Sequence, residues 1–134
     1  MSYIGFTGSR SGMTGAQKAT VARLLVELEP KHARHGDCVG SDADFHTLAR
    51  ETHAKIIIHP PDDDKDRAGC IGDQILPEKP YLTRNKDIVD NCTVLIATPD
   101  SAQEKQRSGT WSTIRYGRKV GRRVIVVAPD GTTS

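Results

Sequence analysis

Apolar residues along this chain fall into short unbroken runs, separated by longer stretches with helical spacing. "YIGF" (3–6), "KIIIHP" (55–60), "TVLIAT" (93–98) and "RVIVVA" (123–128) are strand-like. Their near-continuous apolarity fits parallel strands covered on both faces better than half-exposed strands, which alternate. Between them, "TGAQKATVARLLVELEP" (14–30) sets Val21, Leu24, Leu25 and Leu28 on one helical face, with Thr14 as N-cap and Pro30 as stop. "SDADFHTLARETH" (41–53), capped by Ser41 or Asp42, "YLTRNKDIVDN" (81–91) and "GTWSTIRYGRKVG" (109–121) predict three more helices. A further strand is required between the first two helices. The only segment available is the polar "HARHGDCVG" (32–40), which predicts a weak strand over residues 33–38.

Strict alternation with short connections gives an α/β domain: a three-layer Rossmann-like fold of about five mostly parallel strands, with helices on both faces. Residues 60–80 break the pattern. Some 20 residues without periodicity inside a compact domain predict a long functional loop or lid. The final residues, 130–134, are expected to be a flexible tail. One domain over 1–134 is the expectation for this length.

Composition narrows the class. Hydrophobic residues at 36% and charged residues at 27% describe a water-soluble globular chain, and no apolar run approaches the roughly 20 residues that span a bilayer. "MSYIGFTGSR" lacks a basic segment followed by an apolar one, so no secretory leader is expected. Three scattered cysteines, Cys38, Cys70 and Cys92, predict free thiols in a reducing cytoplasm. A net charge of +2 is too small to argue for nucleic acid.

Ligands of open α/β sheets bind beyond the carboxyl ends of the strands. The loops there, "FTGSRSGMTG", "GDCVGSD" and "TPDSAQEKQRSGT", are rich in Gly, Ser, Thr and Asp. Glycine lets backbone approach a ligand, and hydroxyls with free amides suit phosphate oxygens. Each loop alone is equally a set of caps and turns; several on one sheet edge point to a phosphate-bearing ligand. "GFTGSRSG" is neither G-x-G-x-x-G nor a Walker loop, which removes support for ordinary dinucleotide and ATPase sites.

"SGTWSTIRYGRKVGRRVIVVAP" resembles the Ser-Gly-Ser-x-x-Thr-x-Arg-x-Ala segment of the DNA-processing protein A (Smf/DprA) family. "GDCVGSDADFH" is similar to its Gly-Gly-Ala-Arg-Gly-Ile-Asp-x-x-x-His through Gly36, Gly40, Asp42 and His46. "RNKDI" (84–88) and "GSR" (8–10) match two further short motifs in the same order. The wider group is the SLOG superfamily, which includes the lonely guy (LOG) phosphoribohydrolases. This resemblance implies a ligand-binding edge formed by Gly8, Ser9, Arg10, Gly40, Asp42, Arg84, Asn85, Ser108, Gly109, Thr110 and Trp111, and a homodimer or higher homo-oligomer. Two departures matter. Gly-Gly-Ala-Arg is replaced by Gly36-Asp37-Cys38-Val39, which loses a cation and so weakens a single-stranded DNA reading. The LOG catalytic glutamate is replaced by Thr113, so no catalytic residue is assigned.

The expected function is therefore binding of a nucleotide or nucleotide-derived phosphorylated small molecule, without chemistry, for sensing or sequestration. Single-stranded DNA binding is the alternative. A nucleotide N-glycosidic hydrolase, using Asp37, Asp42 or Glu104, is a weaker one. Trp111 would either stack on a base or be buried, and Asp42 would either hold a ribose hydroxyl or cap its helix. His32, His35, Cys38 and His46 lack metal-ligand spacing, and no metal or other cofactor is expected. "DDDKD" (62–66) is an acidic loop for solvent or for Mg²⁺ beside a phosphate. The basic run from Arg115 to Arg123 is expected at the far end of its helix, where it complements the dipole.

Overall fold

A computed structural model describes residues 2–134. Six strands form one all-parallel sheet in the order β4-β3-β2-β1-β5-β6. They are β1 (Ser2–Gly8), β2 (Pro30–His35), β3 (Lys55–Ile58), β4 (Gln74–Ile75), β5 (Val94–Thr98) and β6 (Arg123–Val126). Four helices link them: α1 (Gly15–Leu28), α2 (Ser41–Arg50), α3 (Tyr81–Asp90) and α4 (Gly109–Lys119). The expected three-layer α/β architecture is the one observed, with one strand more than anticipated. Among the described residues no helix is long and apolar enough to cross a membrane.

The extra strand, β4, lies in the long loop and is only two residues long. Its neighbour Asp73 accepts the Ile56 amide through Oδ2 at 2.8 Å, and Asp73 N–H donates to Ile56 O at 2.8 Å, which clamps the segment to the sheet edge. A pattern two residues long has no period, which is why the sequence does not reveal it. The weak strand begins three residues earlier than predicted. Glu29 takes a left-handed conformation (φ 46°) as C-cap of α1, so the chain reverses in a single residue and Pro30 already opens β2. The tail also departs from expectation. Val126 and Ser134 exchange two backbone hydrogen bonds of 2.9 Å, and Thr132 O accepts from Ala128, so residues 132–134 fold back along β6.

Buried residues divide between the faces of the sheet. Ile4 and Phe6 of β1 pack with Val21, Leu25, Phe45, Ile56 and Ile96 beneath α1 and α2. Val89, Cys92 and Leu95 form one cluster with α3, while Trp111, Ile114, Ala97 and Val126 form another with α4. The predicted Thr14 cap is present as a reciprocal capping box with Gln17. The buried Gln17 amide then donates to Pro99 O and Val127 O, tying α1 to the ends of β5 and β6.

Strand order reverses at β1. The chain winds outward through β2, β3 and β4, then returns to place β5 on the other side of β1. A crevice forms at such a switch point, because the connections leaving its two strands go to opposite faces.

Candidate functional site

A cavity of about 470 Å³ opens at that switch point. Its floor is the end of β1, Phe6 to Arg10; one wall is the start of α3 and the other the start of α4 with the loop before it. Of the residues predicted from sequence, Gly8, Ser9, Arg10, Asp42, Arg84, Asn85, Ser108, Gly109 and Thr110 line it. Gly40 and Trp111 do not.

Trp111 takes the second of its two roles. It is 5% exposed, packed with Ala97, Ile114 and Val126 on the sheet side of α4. The helix period explains this: Thr110, Trp111, Thr113, Ile114 and Gly117 are the buried face of α4. Gly40 is the N-cap of α2 with φ 89° and ψ −126°, a conformation reserved for glycine, and a Cβ there would run into the Arg10 backbone. Its identity is set by the crossing of the two loops. Gly8 lines the cavity, yet its lack of a side chain is also explained by packing: a Cβ would collide with Ser41 and Thr98.

Three helix N-termini face the cavity. At α4, Ser108 caps by accepting the Trp111 amide at 3.2 Å. That leaves the Gly109 and Thr110 amides without intrahelical acceptors, at the positive end of the helix dipole. A Cβ on Gly109 would have no neighbour within 4 Å. Helices α2 and α3 carry no side-chain cap at all. Arg107 and Lys105 add positive charge to the α4 wall, and Lys105 is paired with Asp100 at 3.0 Å.

Arg84 is 5% exposed and has no carboxylate within ion-pair distance among the described residues. Its guanidinium donates to Gly36 O at 2.6 Å, His59 O at 3.0 Å and Asn85 Oδ1 at 2.7 Å. The side chain borders the cavity, as expected, and also binds the ends of β2 and β3 together. Arg10 pairs with Asp66 at 2.8 Å. Both guanidinium groups lie over the Tyr81 ring, at 4.9 Å for Arg10 and 5.1 Å for Arg84. Tyr81, Lys105 and Arg107 were missed from sequence. Tyr81 stands one residue past the Pro80 N-cap of α3, a helix-start position that marks it as cleft-facing only in retrospect.

Asp42 neither caps α2 nor meets an ion-pair partner. It is 7% exposed, borders the cavity and accepts the Cys38 amide at 3.1 Å. Burial lifts its carboxyl to about 6, against the opposing pull of Arg84 and of the Cys38 and Gly36 amides. The other two carboxylates named for hydrolysis lie elsewhere. Asp37 is fully buried outside the cavity, with φ 56°, and receives the Cys70 amide at 2.8 Å and Arg67 Nη2 at 3.2 Å, which fastens the long loop to β2. Glu104 is on the surface, 2.7 Å from Arg115 Nη1. Arg115 therefore folds back to brace the loop before α4 rather than sitting at the far end of the helix. Thr113 is buried and donates to Gly109 O at 2.9 Å.

The acidic run is divided among structural partners: Asp63 caps a 3-10 turn at Asp64–Asp66, Asp64 approaches Arg67, and Asp66 pairs with Arg10. His35, His46 and Cys70 come within 4.8 Å of one another. Their hydrogen bonds describe a bonded histidine pair, not a ligand set. The Asp37 amide donates to His35 Nδ1 at 2.9 Å, which places the His35 proton on Nε2, directed at His46 Nδ1 2.9 Å away. A metal at that point needs the lone pair the proton occupies. Burial pushes His35 down to about 3, so it stays neutral. Burial and then the Asp37 carboxylate push the Cys70 thiol up to about 12, away from the thiolate a metal binds.

No protein-family model matches the chain, and neither does any curated protein or solved structure.

Proposed function

We propose that the cleft binds a nucleotide or nucleotide-derived phosphorylated small molecule and holds it without chemical change, as a sensor or sequestering protein. The observation that carries this reading is the start of α4, where Ser108 is the cap, Gly109 leaves its amide and that of Thr110 approachable, and Arg107 and Lys105 stand alongside. An anion there meets backbone donors already oriented, so little reorganisation opposes binding. The likeness of residues 108–129 to the DNA-processing protein A segment supports a phosphate at this edge, and it is also the ground for the single-stranded DNA alternative. A homodimer or higher assembly belongs to this proposal too, on that likeness alone.

A non-catalytic role is favoured by the cavity lining. No histidine borders it, and Asp42 is its one carboxylate without a paired cation. The hydrolase reading therefore reduces to a single residue. The single-stranded DNA reading calls for aromatic faces on which successive bases stack, and the cavity lining supplies one partly exposed ring, Tyr81, already in contact with two guanidinium groups.

Native mass spectrometry of freshly purified protein, followed by a thermal-shift screen of nucleotides, tests the proposal. A nucleotide that co-purifies or raises Tm and is recovered unchanged supports it. Recovery as free base and sugar phosphate would restore the hydrolase reading. A stabilisation by oligonucleotides alone, falling steeply with salt, would favour the DNA reading.

A further inference from the structure

The chain contains three tyrosines, two phenylalanines and one tryptophan, and the position of every one bears on what the cleft can recognise. Trp111 faces the core. Phe6 forms part of the cavity floor but is 1% exposed, its ring stacked on Phe45 with centroids 4.4 Å apart and planes 4° from parallel. The Tyr81 ring has the guanidinium groups of Arg10 and Arg84 4.9 and 5.1 Å from its centroid. Tyr3 meets His32 edge-on near the amino end of β1, away from the cavity, and Tyr116 donates to Asp90. Of the residues lining the cavity only Phe6 and Tyr81 are aromatic, the first buried and the second already in contact with two cations.

The polar groups have a different distribution. Donors gather at the start of α4, while the opposite side presents the Asp42 carboxylate, an acceptor when ionised, together with Asn85. Arg10 and Arg84 border that side as well, but Arg10 is held by Asp66 and Arg84 by backbone carbonyls, which leaves approachable amides at α4 and a carboxylate across from them, a set that suits a phosphate joined to a hydroxyl-bearing unit. We infer that the cleft recognises the phosphorylated sugar of its ligand and not the base, so that its ligand class is pentose phosphates, with or without any nucleobase attached. This inference rests on the phosphate reading above and restricts it. A base, where present, would lie at the mouth beside Leu82, whose 64% exposure offers contact area without hydrogen-bond information.

Isothermal titration of the full chain at pH 7.5 with ribose 5-phosphate, AMP, GMP, CMP, UMP, adenosine and inorganic phosphate decides the matter. The expected result is that ribose 5-phosphate and the four nucleotides bind with Kd values within tenfold of one another. Adenosine should give no measurable binding, and inorganic phosphate should bind at least tenfold more weakly than ribose 5-phosphate. Asp42→Asn should weaken ribose 5-phosphate while leaving inorganic phosphate unchanged, a split that a general loss of fold does not produce. One nucleotide binding more than tenfold tighter than ribose 5-phosphate would overturn the inference and leave the phosphate reading standing. Equal affinity for inorganic phosphate and ribose 5-phosphate would do the same. Absence of binding by every phosphate compound would overturn both.

Discussion

Gly109 offers a perturbation in which binding and stability are expected to part. In most phosphate loops a glycine is fixed by its own conformation or by its neighbours, so substitution damages the fold and the loss of binding is uninformative. Here the residue opens α4 at an ordinary helical position, and an added Cβ would meet nothing within 4 Å. Gly109→Leu thus directs its side chain into open space beside the cavity. Leucine is the better helix former, so stability should stay level or rise, by at most about 1 kcal/mol. The anion seat, in contrast, loses access to the Gly109 and Thr110 amides. A hydrogen bond to a charged group is worth about 1.5–3 kcal/mol, so losing one weakens binding roughly 10- to 150-fold. The assay pairs isothermal titration of ribose 5-phosphate with thermal unfolding of the same preparations. Gly40→Ala serves as the contrasting variant. Its φ of 89° and the collision with the Arg10 backbone predict a destabilisation of roughly 1–3 kcal/mol. If Gly109→Leu binds within threefold of the parent, the phosphate does not sit at α4 and the assignment fails.

Three further expectations follow from buried groups. Acid should destabilise the chain: His35 and His59 are held near 3 and 4 by burial, from an ordinary 6.5, so the unfolded chain takes up protons between pH 6.5 and 4 that the native one refuses. Stability is full above pH 6.5 and declines below it, which urea titrations across pH 4–7 will read; a flat profile refutes the burial argument. Asp42 acts in the opposite sense, because its folded pKa is raised from 3.8 to about 6 and its ionisation weighs against the native state as pH rises through that window. Asp42→Asn should accordingly gain stability relative to the parent between pH 4 and 7, by up to about 3 kcal/mol, and steepen the acid decline; a pH-independent difference would contradict this. Arg84→Met should lose about 2–6 kcal/mol in chemical denaturation, since it leaves Gly36 O and His59 O buried without donors, and a loss under 1 kcal/mol would mean that water or a rearranged loop replaces them.

Most of the frame could be read from the order of the residues. Apolar runs at 3–6, 55–60, 93–98 and 123–128 overlap β1, β3, β5 and β6, because strands covered on both faces tolerate little else. Strand β2 was the difficult case for a reason visible in its side chains. A central strand reading Pro-Lys-His-Ala-Arg-His breaks the apolar rule, yet His35 is fully buried with both ring nitrogens bonded, and Arg34 Nη1 meets His59 Nε2 at 3.0 Å. Hydropathy scores such residues as exposed, since their partners, Asp37, His46 and His59, come from other segments and from a turn whose φ is positive. Polar burial is legible only once the partners are placed.

The candidate cleft divides along the same line. Residues whose role is fixed by local geometry, such as the Ser108 cap and the glycine after it, carry a signature within a few positions and were legible. Arg84 was named only through the resemblance and Tyr81 not at all, because their environment depends on where α3 is docked. That docking depends in turn on Gly5, where a Cβ would lie 2.9 Å from Cys92 Sγ and 3.0 Å from Ile88. A residue in β1 with no side chain lets α3 approach the sheet closely enough for Arg84 to reach Gly36 O and His59 O. The same approach brings the Tyr81 ring to 4.9 and 5.1 Å from the Arg10 and Arg84 guanidinium groups, which compete with a base for it. Helix docking thus both assembles the cationic wall and brings cations onto the one partly exposed ring that borders the cavity. The proposed preference for phosphate and sugar over base rests on that docking.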